Sequence, residues 1–153
     1  MYDLMIIGSG PAGISAALTA KARNLNFIWF GSRALSTKIE KAEKIMNYPG
    51  LPAVTGSEMQ SVFLKQIDDC GITITESQVN SIYDCGGYFA AGADNEIYEA
   101  KAVIMTVGMT TTREIEGEAR LLGCGVSYCA TCDGALYKNK DIAVICASPK
   151  FED

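Results

Sequence analysis

Two short apolar runs flank an alanine-rich stretch at the start of the chain. Residues 4–7 are apolar and are followed by glycine, which predicts a buried strand. Residues 12–23 are rich in alanine and predict a helix that stops at Asn24, and the largely apolar residues 26–30 predict a second strand. Strand, helix and strand within about 30 residues make a βαβ unit, so a parallel sheet is predicted here.

A second helix and several strands are predicted in the middle of the chain. Apolar residues recur at helical spacing through residues 57–70, where Ser57 and Gln60 match a capping box and Gly71 suits the helix end. The next strands are predicted at residues 71–75, 79–84, 88–91, 97–98 and 101–108. The pair Gly86-Gly87 predicts a hairpin turn.

The last apolar run lies close to the end of the chain. Residues 140–147 predict a strand that should open another βαβ unit, yet only six residues follow. We therefore expect the 153 residues to be part of a longer protein.

Composition narrows the classes of function. The net charge is −5, from 13 basic and 18 acidic residues, which argues against nucleic acid as a partner. No apolar run approaches the roughly 20 residues needed to cross a bilayer, and the start lacks the features of a secretory signal, so a cytoplasmic protein without a membrane partner is expected. Because the chain has no histidine, Ser–His and Cys–His dyads and His-containing zinc sites are excluded within it.

A glycine-rich hexapeptide lies between the first strand and the first helix. It fits G-x-G-x-x-G and consists of Gly8, Ser9, Gly10, Pro11, Ala12 and Gly13. Gly8 would permit a tight turn, Gly10 a close approach of the backbone to a pyrophosphate, and Gly13 close packing of the helix. The helix N-terminus would then hold the phosphates. A glycine turn without a ligand is the alternative interpretation.

One part of the usual dinucleotide pattern is missing. An acidic residue commonly follows the second strand and binds the adenosine ribose. The corresponding residues here are Phe30, Gly31 and Ser32, which offer only a hydroxyl and the backbone. A charged ribose ligand is therefore absent from this position.

Two cysteines, Cys129 and Cys132, are separated by two residues and followed by Asp133. This spacing permits a disulfide, a helix N-terminus there would lower a thiol pKa, and the aspartate would protonate a leaving thiolate. Two alternatives stay open: a Cys₄ metal site completed by Cys124 and Cys146, whose spacing matches no usual framework, or two inert thiols. Outside this region, Cys70 and Cys85 are expected to be structural.

Together the two motifs resemble those of the low-molecular-weight flavin thioredoxin reductases. The resemblance runs over residues 2–144 and is carried by YDLMIIGSGPAG, NYPG, KAVIMTVG and GVSYCATCDGALYKNKDIAVI. It implies an α/β fold: a Rossmann-like FAD-binding domain of the ββα glutathione-reductase type, with the start of an inserted second Rossmann-like domain. Residues 1–112 would be the N-terminal half of the FAD domain, and residues 113–153 the incomplete redox-disulfide domain.

The resemblance also implies which residues bind FAD. The glycine loop would hold the pyrophosphate, residues 30–32 would lie by the ribose, Asn47 would lie near the isoalloxazine, and the backbone of Val79 would meet the adenine. The full implied set is Gly8, Ser9, Gly10, Pro11, Ala12, Gly13, Phe30, Gly31, Ser32, Lys38, Ile39, Asn47, Val79, Thr106, Val107 and Gly108. By the same resemblance, Cys132 faces the flavin, Cys129 attacks the substrate disulfide and Asp133 donates the proton.

The chain departs from the family pattern at two places. Lys38 takes the place of a glutamine in the flavin loop, and with Lys41 and Lys44 it forms either a basic patch for an acidic partner or an ordinary solvated face. Residues 146–151 contain none of the glycines of the NADPH fingerprint, and Pro149 removes an N–H group, so NADPH is not expected to bind. This combination resembles the ferredoxin-dependent branch of the family.

We therefore expect an FAD-dependent disulfide oxidoreductase that takes electrons from ferredoxin and reduces thioredoxin through the Cys129–Cys132 disulfide. The alternatives are an NADPH-dependent thioredoxin reductase, a non-catalytic flavoprotein or redox sensor, and a cysteine-bound metal module. The resemblance also implies a homodimer, and no metal is expected.

Overall fold

The computed structural model describes residues 1–40, 42–108, 115–121, 124–127 and 134–145. Its helices and strands follow the α/β order expected from the sequence. In chain order they are β1 (Tyr2–Ile7), α1 (Pro11–Ala22), β2 (Phe27–Phe30), α2 (Thr37–Glu40), α3 (Gly56–Asp69), β3 (Val79–Asp84), β4 (Phe89–Ala93), β5 (Glu96–Met105), α4 (Glu118–Leu121) and a 3₁₀ helix at Gly134–Tyr137.

The strands form one sheet in the order β2-β1-β5-β4-β3. Strand β1 pairs in parallel with β2 and β5, which confirms the predicted parallel sheet, and β3, β4 and β5 form an antiparallel meander. The predicted hairpin is also confirmed: it joins β3 to β4, and both of its glycines have positive φ, +72° at Gly86 and +139° at Gly87.

Strand β5 is shared between the two halves of the sheet. Ala100 lies opposite Phe89 of β4 and opposite Tyr2 of β1, so the strand changes partner at this residue. The prediction of separate strands at residues 97–98 and 101–108 was wrong. Exposed Glu99 and Lys101 interrupt the apolar pattern without interrupting the strand, because neither side chain has to enter the core.

Strands β1 and β2 are buried on both faces. One core cluster lies between these strands and helices α1 and α3, and includes Leu4 and Ile6 of β1. Their neighbours Met5 and Ile7 point to the opposite face, where they pack against small residues of the meander. The ring of Phe30 meets that of Tyr98 edge-on, with 5.0 Å between centroids. The helices and the meander therefore cover opposite faces of β1 and β2.

Helix α3 begins two residues earlier than the sequence predicted. The capping box consists of Thr55 and Glu58: the backbone N–H of Glu58 donates to Thr55 Oγ1 (3.2 Å), and that of Thr55 donates to Glu58 Oε2 (2.8 Å). The Glu58 carboxylate accepts hydrogen bonds from the backbone N–H and from the hydroxyl of Thr55, and these bonds lower its pKa. The predicted Ser57–Gln60 box was wrong because Gln60 points elsewhere, to two carbonyls of the loop after β2.

Two predicted strands have no place in the sheet. Residues 71–75 form only an isolated parallel bridge between Thr75 and Phe30. In the last run, residues 141–145 have no regular structure, and Ile142, Val144 and Ile145 are 67%, 78% and 73% exposed. Because these apolar side chains stay largely exposed, the apolar pattern alone did not suffice to form a strand at residues 141–145.

Two further expectations concern the surface. Cys70 and Cys85 are both exposed and free, at the end of α3 and beside the hairpin turn, so neither contributes to the core, and their structural role stays a prediction. Among the helices of the described ranges, none is long and apolar enough to span a membrane.

Candidate nucleotide-binding site

The glycine loop follows β1 and leads directly into α1, and its backbone is held by three neighbours. The Gly8 N–H donates to Phe30 O (2.8 Å), and the Gly8 carbonyl accepts from the indole Nε1 of Trp29 (2.8 Å). The Thr106 hydroxyl lies 3.0 Å from the same carbonyl and 2.9 Å from Ile7 O. The ends of β1, β2 and β5 therefore fix the conformation of the loop.

The three glycines of the motif have different surroundings. Gly8 has φ +112°, and an added Cβ would overlap the Thr106 carbonyl. A Cβ on Gly13 would overlap the Gly8 carbonyl and lie 2.8 Å from Thr106 Oγ1. Gly10 differs, because nothing lies within 4 Å of its added Cβ and its φ of −72° suits any residue. Two glycines are thus required by packing, while Gly10 leaves the loop open on its outer side.

Helix α1 begins at this open side. Gly10 is the N-cap, Pro11 is at the first helical position, and the first intrahelical bond runs from Ile14 N to Gly10 O (3.0 Å). The N–H groups of the first turn have no intrahelical acceptor, and they form the positive end of the helix dipole. The helix start can therefore accept an anion next to Gly10.

Ser9 ties the glycine loop to the loop after β2. Its side chain is buried; the Ser32 N–H donates to Ser9 Oγ (3.0 Å), which donates to Leu35 O (3.2 Å). A Cβ on Gly31 would come within 2.5 Å of Ser9 Cβ, so glycine is needed there as well. The Ser9 side chain therefore positions the two loops, and only its backbone is left for a ligand.

A cleft of about 560 Å³ extends from the glycine loop along the ends of β1 and β2. Several predicted cofactor residues come together in it although they are far apart in sequence. The residues that line it are Ile7, Gly8, Phe30, Gly31, Ser32, Glu76, Ser77, Gln78, Val79 and Val107. The cleft thus joins the predicted ribose and adenine residues to the predicted pyrophosphate loop.

Four of these lining residues, Ile7 and residues 76–78, were not predicted from the sequence. Residues 76–78 come from a segment far from the glycine loop in the chain. The bridge between Phe30 and Thr75 places them there: the Thr75 N–H donates to Trp29 O (2.7 Å), and the Gly31 N–H donates to Thr75 O (3.1 Å). The segment therefore runs alongside the end of β2. The buried apolar residues Ile72 and Ile74 were a signal that this segment joins the core, but not that the next residues reach the cleft.

Other predicted cofactor residues lie outside the cleft lining. Ile39 is half-buried against the helix-side core, and Asn47 is exposed before the turn at residues 48–51. The backbone of Lys38 lies in α2, while its side chain is outside the described part of the structure. Gly108 has φ +67° and follows Val107 at the end of β5. Contacts of these residues with a flavin stay predictions.

The redox motif lies beyond the part of the chain that the structure describes. Cys129, Cys132 and Asp133 lie outside the described residues, as do Lys41 and the segment 146–151 that departs from the NADPH fingerprint. Within the described ranges, no group of three acidic or cysteine side chains is placed to hold a metal ion.

The described residues fit the diphosphate and adenosine parts of FAD. The open face at Gly10 and the start of α1 suit a pyrophosphate, and the cleft that begins at Gly8 is lined by apolar residues such as Val79 and Val107 and by polar backbone, which suit a nucleoside.

Comparison with known proteins agrees with this geometry. The family model described as "Pyridine nucleotide-disulphide oxidoreductase" matches residues 2–149. The thioredoxin reductase of Bacillus subtilis (strain 168) is 32% identical over 146 residues, which are 95% of this chain and 46% of that protein.

Solved structures are similar as well. A ferredoxin-flavin thioredoxin reductase from Clostridium acetobutylicum superposes with a TM-score of 0.70 at 47% identity, over 89% of this chain and 48% of that one. A thioredoxin reductase from Streptococcus pyogenes MGAS5005 superposes with a TM-score of 0.79 at 35% identity, over 90% of this chain and 45% of that one. The chain thus spans about half the length of the relatives it matches.

Proposed function

Since the chain belongs to the pyridine nucleotide-disulphide oxidoreductase family, we propose that its protein is an FAD-dependent enzyme that reduces thioredoxin. The observation that carries the proposal is the junction of the glycine loop with the cleft beside β2: Gly8 lines that cleft, and Gly10, two residues later, has an open outer face. This junction gives a diphosphate and a nucleoside adjacent sites. The relatives named thioredoxin reductase support the same activity.

In this proposal the first-turn N–H groups of α1 bind the pyrophosphate, and residues of the cleft bind the adenosine. Bound FAD would supply a centre that accepts single electrons and delivers them in pairs. Trp29 and Thr106 hold the Gly8 carbonyl away from the phosphates by hydrogen bonds, so that N–H groups face the anion. The loop is therefore preorganised for an anion before FAD binds.

Cys129 and Cys132 perform the thiol chemistry of the proposed reaction. Two electrons and two protons convert their disulfide to two thiols. The Cys129 thiolate then attacks one sulfur of the thioredoxin disulfide, which forms a mixed disulfide and releases a thiolate that Asp133 protonates. Cys132 attacks the mixed disulfide, so thioredoxin leaves as a dithiol and the Cys129–Cys132 disulfide forms again.

We propose ferredoxin as the electron donor. The sequence supports this because residues 146–151 lack the glycines of a second nucleotide loop. The similarity to a protein described as a ferredoxin-flavin thioredoxin reductase, at 47% identity, supports it too. Lys38, Lys41 and Lys44 are the proposed docking charges for an acidic ferredoxin, and reversing them should slow its electron transfer.

The remaining assignments are part of the same proposal. Residues 1–112 form the first half of the FAD domain and residues 113–153 begin the redox-disulfide domain. The protein is proposed to work in the cytoplasm as a homodimer.

An anaerobic titration of the complete protein tests the proposal. Reduced ferredoxin is expected to bleach the visible absorbance of the bound flavin, and added thioredoxin should then gain two thiols per molecule. Cys129→Ser should keep the bleaching and abolish turnover of thioredoxin, because the attacking thiolate is lost. Cys85→Ser, an exposed cysteine on the hairpin, is the matched control and should behave as the unmodified protein.

The other outcomes separate the alternatives. Bleaching by NADPH at a comparable rate would identify an NADPH-dependent reductase. Bleaching without thiol formation would identify a flavoprotein of another kind, such as a redox sensor. Stoichiometric metal without flavin would refute the proposal.

A further inference from the structure

The end of β2 lacks the acid that usually selects the nucleotide. The residues there are Phe30, Gly31, Ser32 and Arg33. An acid at this point commonly binds the ribose 2′-hydroxyl, whereas a nearby arginine accommodates a 2′-phosphate. By sequence alone, Arg33 therefore favours a 2′-phosphorylated nucleotide, which FAD is not.

The structure brings a carboxylate to this place from another segment. Glu76 follows the Thr75 bridge, lines the cleft, and accepts a hydrogen bond at Oε1 from the backbone N–H of Arg33 (2.8 Å). Among the described residues, no donor bonds its second oxygen. One oxygen is thus fixed at the end of β2 while the other can accept a hydrogen bond from a ligand.

Arg33 is engaged away from this position. Its Nη2 lies 3.0 Å from both carboxylate oxygens of Asp68 on α3. Its guanidinium charge is therefore partly neutralised, while the carboxylate of Glu76 lines the cleft beside the end of β2. Such an arrangement favours a hydroxyl donor and repels a phosphate.

We propose that Glu76 is the ribose-binding residue of this cleft: its carboxylate accepts a hydrogen bond from the adenosine 2′,3′-diol and excludes a 2′-phosphate. The inference rests on the proposed function, since FAD is the ligand it specifies. The usual acid at the end of β2 is replaced by one that is 46 residues after Phe30 in sequence and adjacent to it in the fold.

Calorimetric titration of the flavin-free complete protein tests the role of Glu76. The ligands are FAD and an FAD analogue whose adenosine lacks both ribose hydroxyls. Glu76→Ala should weaken FAD binding roughly 10- to 100-fold, the range expected for a hydrogen bond to a charged acceptor, and leave the analogue nearly unaffected. Glu99→Ala, at an exposed position on the meander, is the matched control and should change neither affinity.

A second pair of ligands tests whether Glu76 excludes a 2′-phosphate. Adenosine 5′-diphosphate should bind the unmodified protein more tightly than adenosine 2′,5′-bisphosphate, and Glu76→Ala should reduce this preference. If Glu76→Ala weakened FAD and the analogue by the same factor, Glu76 would merely support the loop and the inference would be wrong. Failure of the unmodified protein to bind FAD at all would instead overturn the proposed function.

Discussion

Gly10 and Gly13 belong to one motif, yet the structure assigns them different tasks. A methyl group on Gly13 would overlap the Gly8 carbonyl, while one on Gly10 would meet nothing within 4 Å. We therefore expect Gly13→Ala to damage folding and Gly10→Ala to damage FAD binding while leaving folding nearly intact. The two substitutions add the same methyl group, so each is the other's control.

The size of the Gly13 effect follows from what surrounds the new methyl. The Gly8 carbonyl cannot move aside easily, because Trp29 Nε1 donates to it and Gly8 itself has φ +112°. Helix α1 must shift instead, and forcing a methyl group into a packed site costs about 1–3 kcal/mol. Alanine regains up to about 1 kcal/mol through its helix propensity, so the net destabilisation is expected to be up to about 2 kcal/mol.

For Gly10→Ala the unfolding free energy should change by less than about 1 kcal/mol, since glycine is only modestly better than alanine as an N-cap. Its methyl group would stand where the pyrophosphate approaches the backbone. We expect FAD affinity to fall at least about tenfold, or about 1.4 kcal/mol.

Urea unfolding, followed by the fluorescence of Trp29, measures the stability of both variants. This residue is the only tryptophan of the chain and is 1% exposed, so its emission should change on unfolding. Fluorescence titration with FAD measures the affinity. Equal loss of stability in the two variants, or unchanged FAD affinity in Gly10→Ala, would refute the assignment of the open face to the diphosphate.

Three further predictions concern helix α3 and its ends. Glu58→Gln should lower the urea midpoint at pH 7, because the pKa of Glu58 is lower in the folded than in the unfolded state. The stabilisation by Glu58 is present above its unfolded pKa and is lost as the pH falls through its folded pKa. At a pH below both values the substitution should therefore leave the urea midpoint unchanged. Gln60→Leu should lower the free energy of unfolding by about 1–2 kcal/mol, because the side chain loses its two hydrogen bonds to the loop after β2. Gln66→Leu is the control and should lower it by less, since the Gln66 side chain makes no hydrogen bond in the described part of the chain. Equal losses in the two variants would contradict the role of Gln60. Gly71→Ala should destabilise by about 1 kcal/mol because φ is +59° there, and Gly71→Asn by less; a neutral Gly71→Ala would show that the turn adjusts.

Local patterns in the sequence were sufficient where the physical cause is local. The run LMII had to be buried on both faces, and the glycine motif after it had to turn tightly into a helix. The turn at Gly86-Gly87 was equally predictable, because positive φ is a property of single residues. These features depend on neighbours in the chain.

Features that depend on distant residues were predicted less well. Strand β5 looked like two strands because its polar residues Glu99 and Lys101 are tolerated on exposed positions. The start of α3 was misplaced because two overlapping capping patterns were present, and the contacts of Gln60 with the loop after β2 decided between them. Competing local patterns are resolved by the tertiary partner.

The sequence by itself determined the glycine loop, the strand and the helix that this loop connects, and the cysteine motif, since each depends on consecutive residues. Only the tertiary structure decided which carboxylate stands at the end of β2. A parallel bridge between Phe30 and Thr75 brings Glu76 there, and bridges of this kind depend on the packing of the sheet rather than on spacing along the chain. The site is thus a product of both, because its backbone cradle is local and its charge is supplied across the fold.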